Sequence, residues 1–166
     1  MNDFESLFEA LNEAEVRYVV VGGLAVVLHG YARLTGDVDL IVDLVPKEAA
    51  KAIKALLGSG FKPKPPVDAL QFSDPDVRQS WVDEKGMRVF SLFDPKRPML
   101  LLDLFVENPI PFEELWGRSE ILPLSGVSVR VASIKDIIRL KKKAGRPQDL
   151  QDIEALRKIQ RRNSDG

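Results

Sequence analysis

Three aspartates are the residues whose types and spacing most strongly suggest chemistry. Asp37 and Asp39 are two residues apart in a segment that predicts a strand, so their side chains share one face. Asp103 lies in a second apolar segment, residues 99–106. Adjacent carboxylates raise each other's pKa unless a cation lies between them, and a divalent metal with oxygen ligands is the natural partner. A solvated strand end, or an Asp103 bonded to a turn or an arginine, is the alternative interpretation.

A glycine pair stands between a predicted buried strand at 16–21 and a predicted helix at 24–28. Gly22 and Gly23 allow a phosphate to approach the backbone closely, and the start of a helix offers free N–H groups. The alternative is an ordinary tight turn. If the strand of Asp103 lies beside that of Asp37 and Asp39, the three carboxylates could hold two Mg²⁺ ions that align a nucleoside triphosphate for in-line displacement at phosphorus.

The spacing of these motifs resembles a known signature. Gly22-Gly23, thirteen intervening residues and Asp37-Val38-Asp39 resemble the Gly-[Gly/Ser] … Asp-x-Asp motif of the nucleotidyltransferase superfamily, which includes DNA polymerase β and the aminoglycoside nucleotidyltransferases. The run Arg33-x-Thr35-x-Asp37-x-Asp39 and the segment 143–152 are similar to a bacterial branch related to the AbiEii toxins of toxin–antitoxin systems. The resemblance implies an α+β nucleotidyltransferase fold, with a mixed β-sheet packed with helices and with C-terminal helices.

The resemblance also implies a role for each matching residue. Mg²⁺ or Mn²⁺ would be the metal, and an NTP would be the substrate. Asp103 would complete the metal site and act as base for the incoming hydroxyl. The implied catalytic and metal-ligating residues are Asp37, Asp39 and Asp103, and the implied nucleotide-binding residues are Gly22, Gly23, Arg33, Thr35, Lys143, Arg146 and Asp149. The run Lys141–Lys143 has an alternative interpretation as a solvated helix end.

The implied activity is transfer of a nucleoside monophosphate from an NTP to a hydroxyl. The acceptor is left open among an RNA 3′ end, a protein hydroxyl and a small molecule. One alternative is a catalytically silent module of the same fold that binds a nucleotide or a partner. Another is the toxin component of a toxin–antitoxin pair, and an antitoxin or a second copy of the chain would then be the partner.

The elements that must position these residues follow from apolar periodicity and from helix-start and helix-stop signals. Residues 60–95 match no pattern of the family, and residues 81–93 predict a hairpin with a turn at 83–86. Phe72 and Trp81 are predicted to lie in the core, with base stacking as the alternative. The remaining predictions are helices around Phe4–Leu11, from Pro46, at 112–116, from Ser133 to Gly145 and from Pro147, and strands at 37–42, 99–106 and 127–131.

Composition limits the remaining classes. The 166 residues predict one domain, 1–166, and the 24 basic and 25 acidic side chains give a net charge of −1. There is no cysteine, so disulfides and cysteine–zinc sites are excluded. The sequence lacks the apolar core of a signal peptide and any apolar run of about 20 residues. We therefore expect a cytoplasmic protein with no membrane segment.

Overall fold

A mixed β-sheet of seven strands lies at the centre of the computed structural model, which describes residues 3–165. In space the strands follow the order β3-β4-β5-β2-β1-β7-β6. In chain order they are β1 (Tyr18–Val21), β2 (Asp37–Val42), β3 (Lys62–Pro63), β4 (Val89–Asp94), β5 (Arg97–Phe105), β6 (Glu120–Leu124) and β7 (Val127–Val131).

The described residues also form seven α-helices and one short 3₁₀ helix at Ala69–Ser73. The α-helices are α1 (Asp3–Glu13), α2 (Gly22–Leu28), α3 (Pro46–Gly58), α4 (Pro75–Lys85), α5 (Phe112–Arg118), α6 (Ile134–Ala144) and α7 (Pro147–Asp165). Within this described part of the chain, no helix has the length and apolar character needed to span a bilayer.

The central strands combine both pairing directions. β1 is antiparallel to β2 and parallel to β7, while β2 is parallel to β5. The two outer pairs, β4 with β5 and β6 with β7, are antiparallel hairpins. The predicted α+β fold is confirmed: it is a mixed sheet packed with helices and closed by two C-terminal helices.

The two faces of the β4–β5 hairpin differ in burial. On one face Phe90, Leu92 and Leu102 are completely buried. The Phe90 ring stacks on Phe72 of the 3₁₀ helix and on Trp81 of α4, which cover this face. Side chains on the opposite face, which carries Asp103, are only half-buried. The candidate site aspartate Asp103 therefore lies on the less covered side of this part of the sheet.

The predicted hairpin at 81–93 is wrong in its first half. Residues 75–85 form α4, and the hairpin partner of β4 is β5. The start of α4 carries Pro75 at its first position, and the side chain of Asp74 accepts a hydrogen bond from the Asp76 N–H. Gly86, in the left-handed region at φ 61°, ends the helix. These capping signals override the strand preference of Trp81 and Val82.

Candidate active site

The glycine pair lies where β1 ends and α2 begins. Gly22 has a φ of 72°, and a Cβ placed on it would lie 2.1 Å from Oδ2 of Asp39. A side chain at this position would be strained and would displace the carboxylate. The first turn of α2 receives no side-chain cap, because Val21 occupies the N-cap position. Gly22 is therefore required for the close approach between the turn and Asp39.

The carboxylates of Asp39 and Asp103 lie on neighbouring parallel strands. Asp39 of β2 is in register with Asp103 of β5, and residues in register share one face of a sheet. Asp37 lies on the same face, two residues earlier, at the exposed start of β2. Ser91 of β4 extends the row, since its Oγ donates a 2.6 Å hydrogen bond to Oδ1 of Asp103. The sequence prediction that Asp103 shares a face with the Asp37–Asp39 pair is confirmed.

The electrostatics of this face favour a cation. Burial, followed by the negative charges of Asp103 and Asp37, raises the pKa of Asp39 to about 6. The positive charges of Lys141 and Arg146 act in the opposite direction but do not compensate. Asp39 thus lies among like charges, an arrangement typical of functional carboxylates.

The donor set fits a hard divalent cation in its chemistry. Carboxylate oxygens are the ligands that Mg²⁺ and Mn²⁺ prefer, and a cation would relieve the repulsion at Asp39. Within residues 3–165, however, no group of three carboxylate, imidazole or thiolate side chains is arranged to hold a metal ion. The structure therefore provides the Asp39–Asp103 pair, with Asp37 near it at the strand start.

Arg33 and Thr35 lie directly over the glycine turn. A Cβ on Gly23 would lie 2.7 Å from the Arg33 Nη2 atom and 2.9 Å from the Thr35 Oγ1 atom. The Arg33 Nε atom is buried and has no hydrogen-bond partner among the described residues. A buried donor without a partner is rare and points to a missing acceptor. The structure thus brings Gly22, Gly23, Arg33 and Thr35 together, as the sequence predicted.

A network of charged side chains, in which Lys141, Asp149 and Asp152 are buried, connects Arg33 to the C-terminal helices. Arg33 Nη2 lies 3.0 Å from Oδ2 of Asp152, and Lys141 Nζ lies 2.8 Å from the same oxygen. Lys141 also contacts Oδ1 of Asp149 at 3.2 Å, and the guanidinium and backbone N–H of Arg146 donate to Asp149. The network contains three cationic and two anionic groups, so its net charge is one positive charge. The charges of Lys141 and Arg146 also lower the pKa of Asp39.

The network lowers the pKa of both of its aspartates. Burial alone would raise the pKa of Asp149, but hydrogen bonds from Arg146 and Lys141 lower it to about 2. The pKa of Asp152 is lowered against the same burial effect by hydrogen bonds that include those from Lys141 and Arg33. These two carboxylates are therefore fully paired, in contrast to Asp39.

Three site-related residues were not among the predicted site residues: Ser91, Lys141 and Asp152. Lys141 falls on the apolar stripe of α6 with Ile134, Ile137 and Ile138, a position where an unpaired lysine would be costly. A lysine at this apolar position was the sequence signal that Lys141 has a buried anionic partner. Lys143 was predicted instead, but it is exposed, and about 100° of rotation per residue directs it almost opposite to Lys141.

Other candidate residues are structural. His29 Nε2 is within hydrogen-bond distance, 2.8 Å, of the Ala132 carbonyl oxygen, which holds the ring against β7. Phe72 and Trp81 are buried in the stack with Phe90. The base-stacking alternative for these two rings does not fit their burial.

Comparison with known proteins identifies the family. Residues 2–163 match the model of a family described as nucleotidyltransferase of unknown function (DUF6036). Since the match spans nearly the whole chain, the protein belongs to that family. No curated protein sequence matches significantly.

Solved structures support the same fold. The lincosamide antibiotic adenylyltransferase LnuA, bound to lincomycin, has a TM-score of 0.63 at 18% identity, over 96% of this chain and 98% of that one. ANT(2")-Ia in complex with adenylyl-2"-tobramycin has a TM-score of 0.59 at 16% identity, over 95% and 90%. A putative nucleotidyltransferase from Thermotoga maritima has a TM-score of 0.58 at 15% identity, over 96% and 91%. The protein has the nucleotidyltransferase fold.

Proposed function

We propose that the protein transfers a nucleoside monophosphate from an NTP to a hydroxyl group and releases pyrophosphate. The observation that carries the proposal is that the aspartate-bearing strands and the glycine turn lie next to each other. The carboxylate of Asp39, in register with Asp103, contacts the glycine turn over which Arg33 and Thr35 lie. A nucleotide–metal complex needs this combination of carboxylates, close backbone approach and a cationic donor.

The Asp39–Asp103 pair would hold the divalent cation, with Asp37 near it at the start of β2, and the cation would supply charge neutralisation at the triphosphate. The backbone at Gly22 and Gly23 allows phosphate oxygens to come close to the chain. Arg33 donates to those oxygens through its planar guanidinium, and the Thr35 hydroxyl donates beside it. These four groups, the cation, the glycine turn, Arg33 and Thr35, would together bind the triphosphate.

The transfer itself requires one bond to form and one to break. The acceptor oxygen forms a bond to the α-phosphorus, the bond from that phosphorus to the bridging oxygen of the β-phosphate breaks, and pyrophosphate leaves with that electron pair. The acceptor proton passes to Oδ2 of Asp103. Ser91 occupies Oδ1 of the same carboxylate, which leaves Oδ2 for the acceptor.

The charged network of the C-terminal helices holds Arg33 in the proposed nucleotide site. Asp152 binds Arg33, and Lys141 neutralises Asp152. Both oxygens of Asp149 are engaged by Lys141 and Arg146, so we assign Asp149 the task of holding these cations. Direct contact of Arg146 and Lys143 with nucleotide or acceptor stays a prediction.

The test is a transfer assay with each NTP radiolabelled at the α-phosphate, with Mg²⁺ or Mn²⁺ and a cell extract containing RNA and protein. Asp37→Ala/Asp39→Ala is the matched inactive variant. Label transferred by the native protein alone supports the proposal, and the labelled species gives the acceptor class. Absence of transfer in every extract fraction, with NTP binding retained, would favour the catalytically silent module instead.

A toxin role is a second prediction, and growth after expression of the chain tests it. If growth arrest follows expression of the native chain but not of Asp37→Ala/Asp39→Ala, the toxin interpretation gains support. Normal growth at high expression of an active enzyme would contradict it.

A further inference from the structure

One half of the aspartate-bearing sheet face is only partly covered. Val89 and Phe93 of β4 and Leu101 of β5 alternate along their strands with buried residues, and Phe93 is in register with Leu101. These three side chains therefore lie on the face of Asp103. They are half-buried, yet in the described part of the chain they do not pack against the hydrophobic core. Met99, on the same face of β5, is 88% exposed. An apolar strip therefore begins beside the catalytic carboxylates.

The outer edge of this strip is cationic. Lys62 of β3 is in register with Phe93, and the backbone N–H of Lys64 donates to the Ser91 carbonyl. Both lysines are exposed, and the alternation of the strand places them on the face of Phe93 and Ser91. At about 4.8 Å per strand, they lie two strand spacings from Asp103. The acidic and apolar groups of β5 and β4 are thus followed by basic groups at the outer edge formed by β3.

The strip lies on a sheet surface that crosses three neighbouring strands, β5, β4 and β3. Two cavities, of about 300 and 340 Å³, lie elsewhere: one between Tyr31 and α7, and one beside Trp116 and Arg130. Small-molecule acceptors are normally enclosed in concave pockets, whereas extended chains lie across open sheet surfaces. The geometry therefore favours an extended acceptor.

The edge also opposes an added peptide strand. Pro63 lies in β3, and Pro65 and Pro66 follow it. Proline has no backbone N–H to donate to a strand ladder, so β-strand addition at this edge is disfavoured. A flat apolar platform with lysines along one side is instead the arrangement that binds single-stranded nucleic acid.

We propose that the acceptor is the 3′-terminal hydroxyl of a single-stranded nucleic acid whose last nucleotides lie across β5, β4 and β3. A base stacks on Phe93, phosphates pair with Lys62 and Lys64, and the terminal oxygen reaches Oδ2 of Asp103. The acceptor role rests on the proposed function, because it names the hydroxyl that the transfer uses.

The experiment measures binding without NTP, by fluorescence anisotropy of single strands of about 12 nucleotides, labelled at the 5′ end, as RNA and as DNA. The native protein should bind at least one of them, with affinity that falls as salt rises. Lys62→Glu/Lys64→Glu should weaken binding about tenfold or more and flatten the salt dependence, because phosphate contacts are lost. Phe93→Ala should weaken it about five- to tenfold, and Phe93→Tyr, which keeps the ring, should bind as the native protein does.

The matched control is Lys47→Glu/Lys54→Glu, which reverses two exposed charges on α3, a helix that packs on the 3₁₀ helix away from the aspartates. It should bind like the native protein. If neither strand binds, or if both double variants lose affinity equally, the proposal of a nucleic-acid acceptor is overturned. Mg²⁺-dependent NTP binding is measured separately, and if it is retained the proposed function stays intact. Strand binding without any NTP binding would overturn the proposed function and the acceptor role with it.

Discussion

Two groups of aspartates lie a short distance apart in this molecule and have opposite electrostatic environments. Asp39 is crowded by Asp103 and Asp37, and its pKa is raised to about 6. Asp149 is more deeply buried, yet its pKa is lowered to about 2 because Arg146 and Lys141 donate hydrogen bonds to it. Burial acts in the same direction on both, so the difference comes from the neighbours.

The comparison distinguishes the candidate ligand site from the paired aspartates that we assign a supporting role. Carboxylates left without cations repel each other and are stabilised when a cation binds, as expected of a functional site. Carboxylates that are fully paired stabilise the fold, and removing one partner leaves a buried charge uncompensated. Substitutions in the first group should therefore change activity, and substitutions in the second should change stability.

The largest expected effect is on transfer. Asp103→Asn should lower the transfer rate by about 10³-fold or more, since it removes the proton acceptor and a cation ligand. The folded state should be retained, because asparagine can still accept the Ser91 hydrogen bond. Steady-state rates and circular dichroism measure the two quantities. The control is Glu107→Gln, an exposed carboxylate just beyond β5, which should transfer at the native rate. A rate within tenfold of native for Asp103→Asn would remove Asp103 from the catalytic group.

The second effect is on stability. Lys141→Met should lower the free energy of unfolding by about 3–5 kcal/mol, because Asp149 and Asp152 lose their shared cation in a buried setting. Lys143→Met, two residues along the same helix, should change it by less than about 0.5 kcal/mol. Urea denaturation of the two variants measures the contrast. Similar losses in both would mean that the lysine run acts as a whole.

A third effect depends on pH. Asp149 has a depressed pKa in the folded state, so its stabilisation is fully present above the unfolded value and is lost as pH falls towards 2. Asp149→Asn should therefore cost about 2 kcal/mol at pH 7 and about half of that at pH 3. Urea titrations at both pH values measure the difference. A cost that is independent of pH would indicate lost packing in place of lost charge pairing.

The smallest effect has the opposite sign. Asp39→Asn should stabilise the metal-free protein at pH 7 by about 1–2 kcal/mol, because it removes a half-buried charge from beside two like charges. Added Mg²⁺ should stabilise the native protein more than this variant. Thermal unfolding with and without Mg²⁺ compares them. Destabilisation of the metal-free variant would show that Asp39 is already balanced by Lys141 and Arg146.

Much of the site could be read from sequence because it is local. Gly22, Gly23, Asp37 and Asp39 occur within 18 residues, and the alternation of strands fixes their common face. Asp103 was found because a carboxylate in an apolar strand requires a reason. Lys141 and Asp152 were not among the predicted site residues, since their partners come from different elements, and only tertiary packing brings Arg33 to them.

The fold was predictable where periodicity was strong. α3, β2 and β5 were found with their bounds nearly correct, because their apolar patterns are clear. α4 was predicted as half of a hairpin, since its mostly polar surface gives little helical periodicity. β6 was not predicted, because it is an edge strand with alternating half exposure and contains Pro123.

The most direct test of the central claim is a calorimetric titration with a non-hydrolysable NTP analogue in the presence and absence of Mg²⁺. The native protein should bind the analogue with an affinity that depends on Mg²⁺, and folded Asp39→Ala should lose that dependence. Unchanged Mg²⁺-dependent binding by folded Asp39→Ala would contradict the assignment of the aspartate row as the nucleotide–metal site.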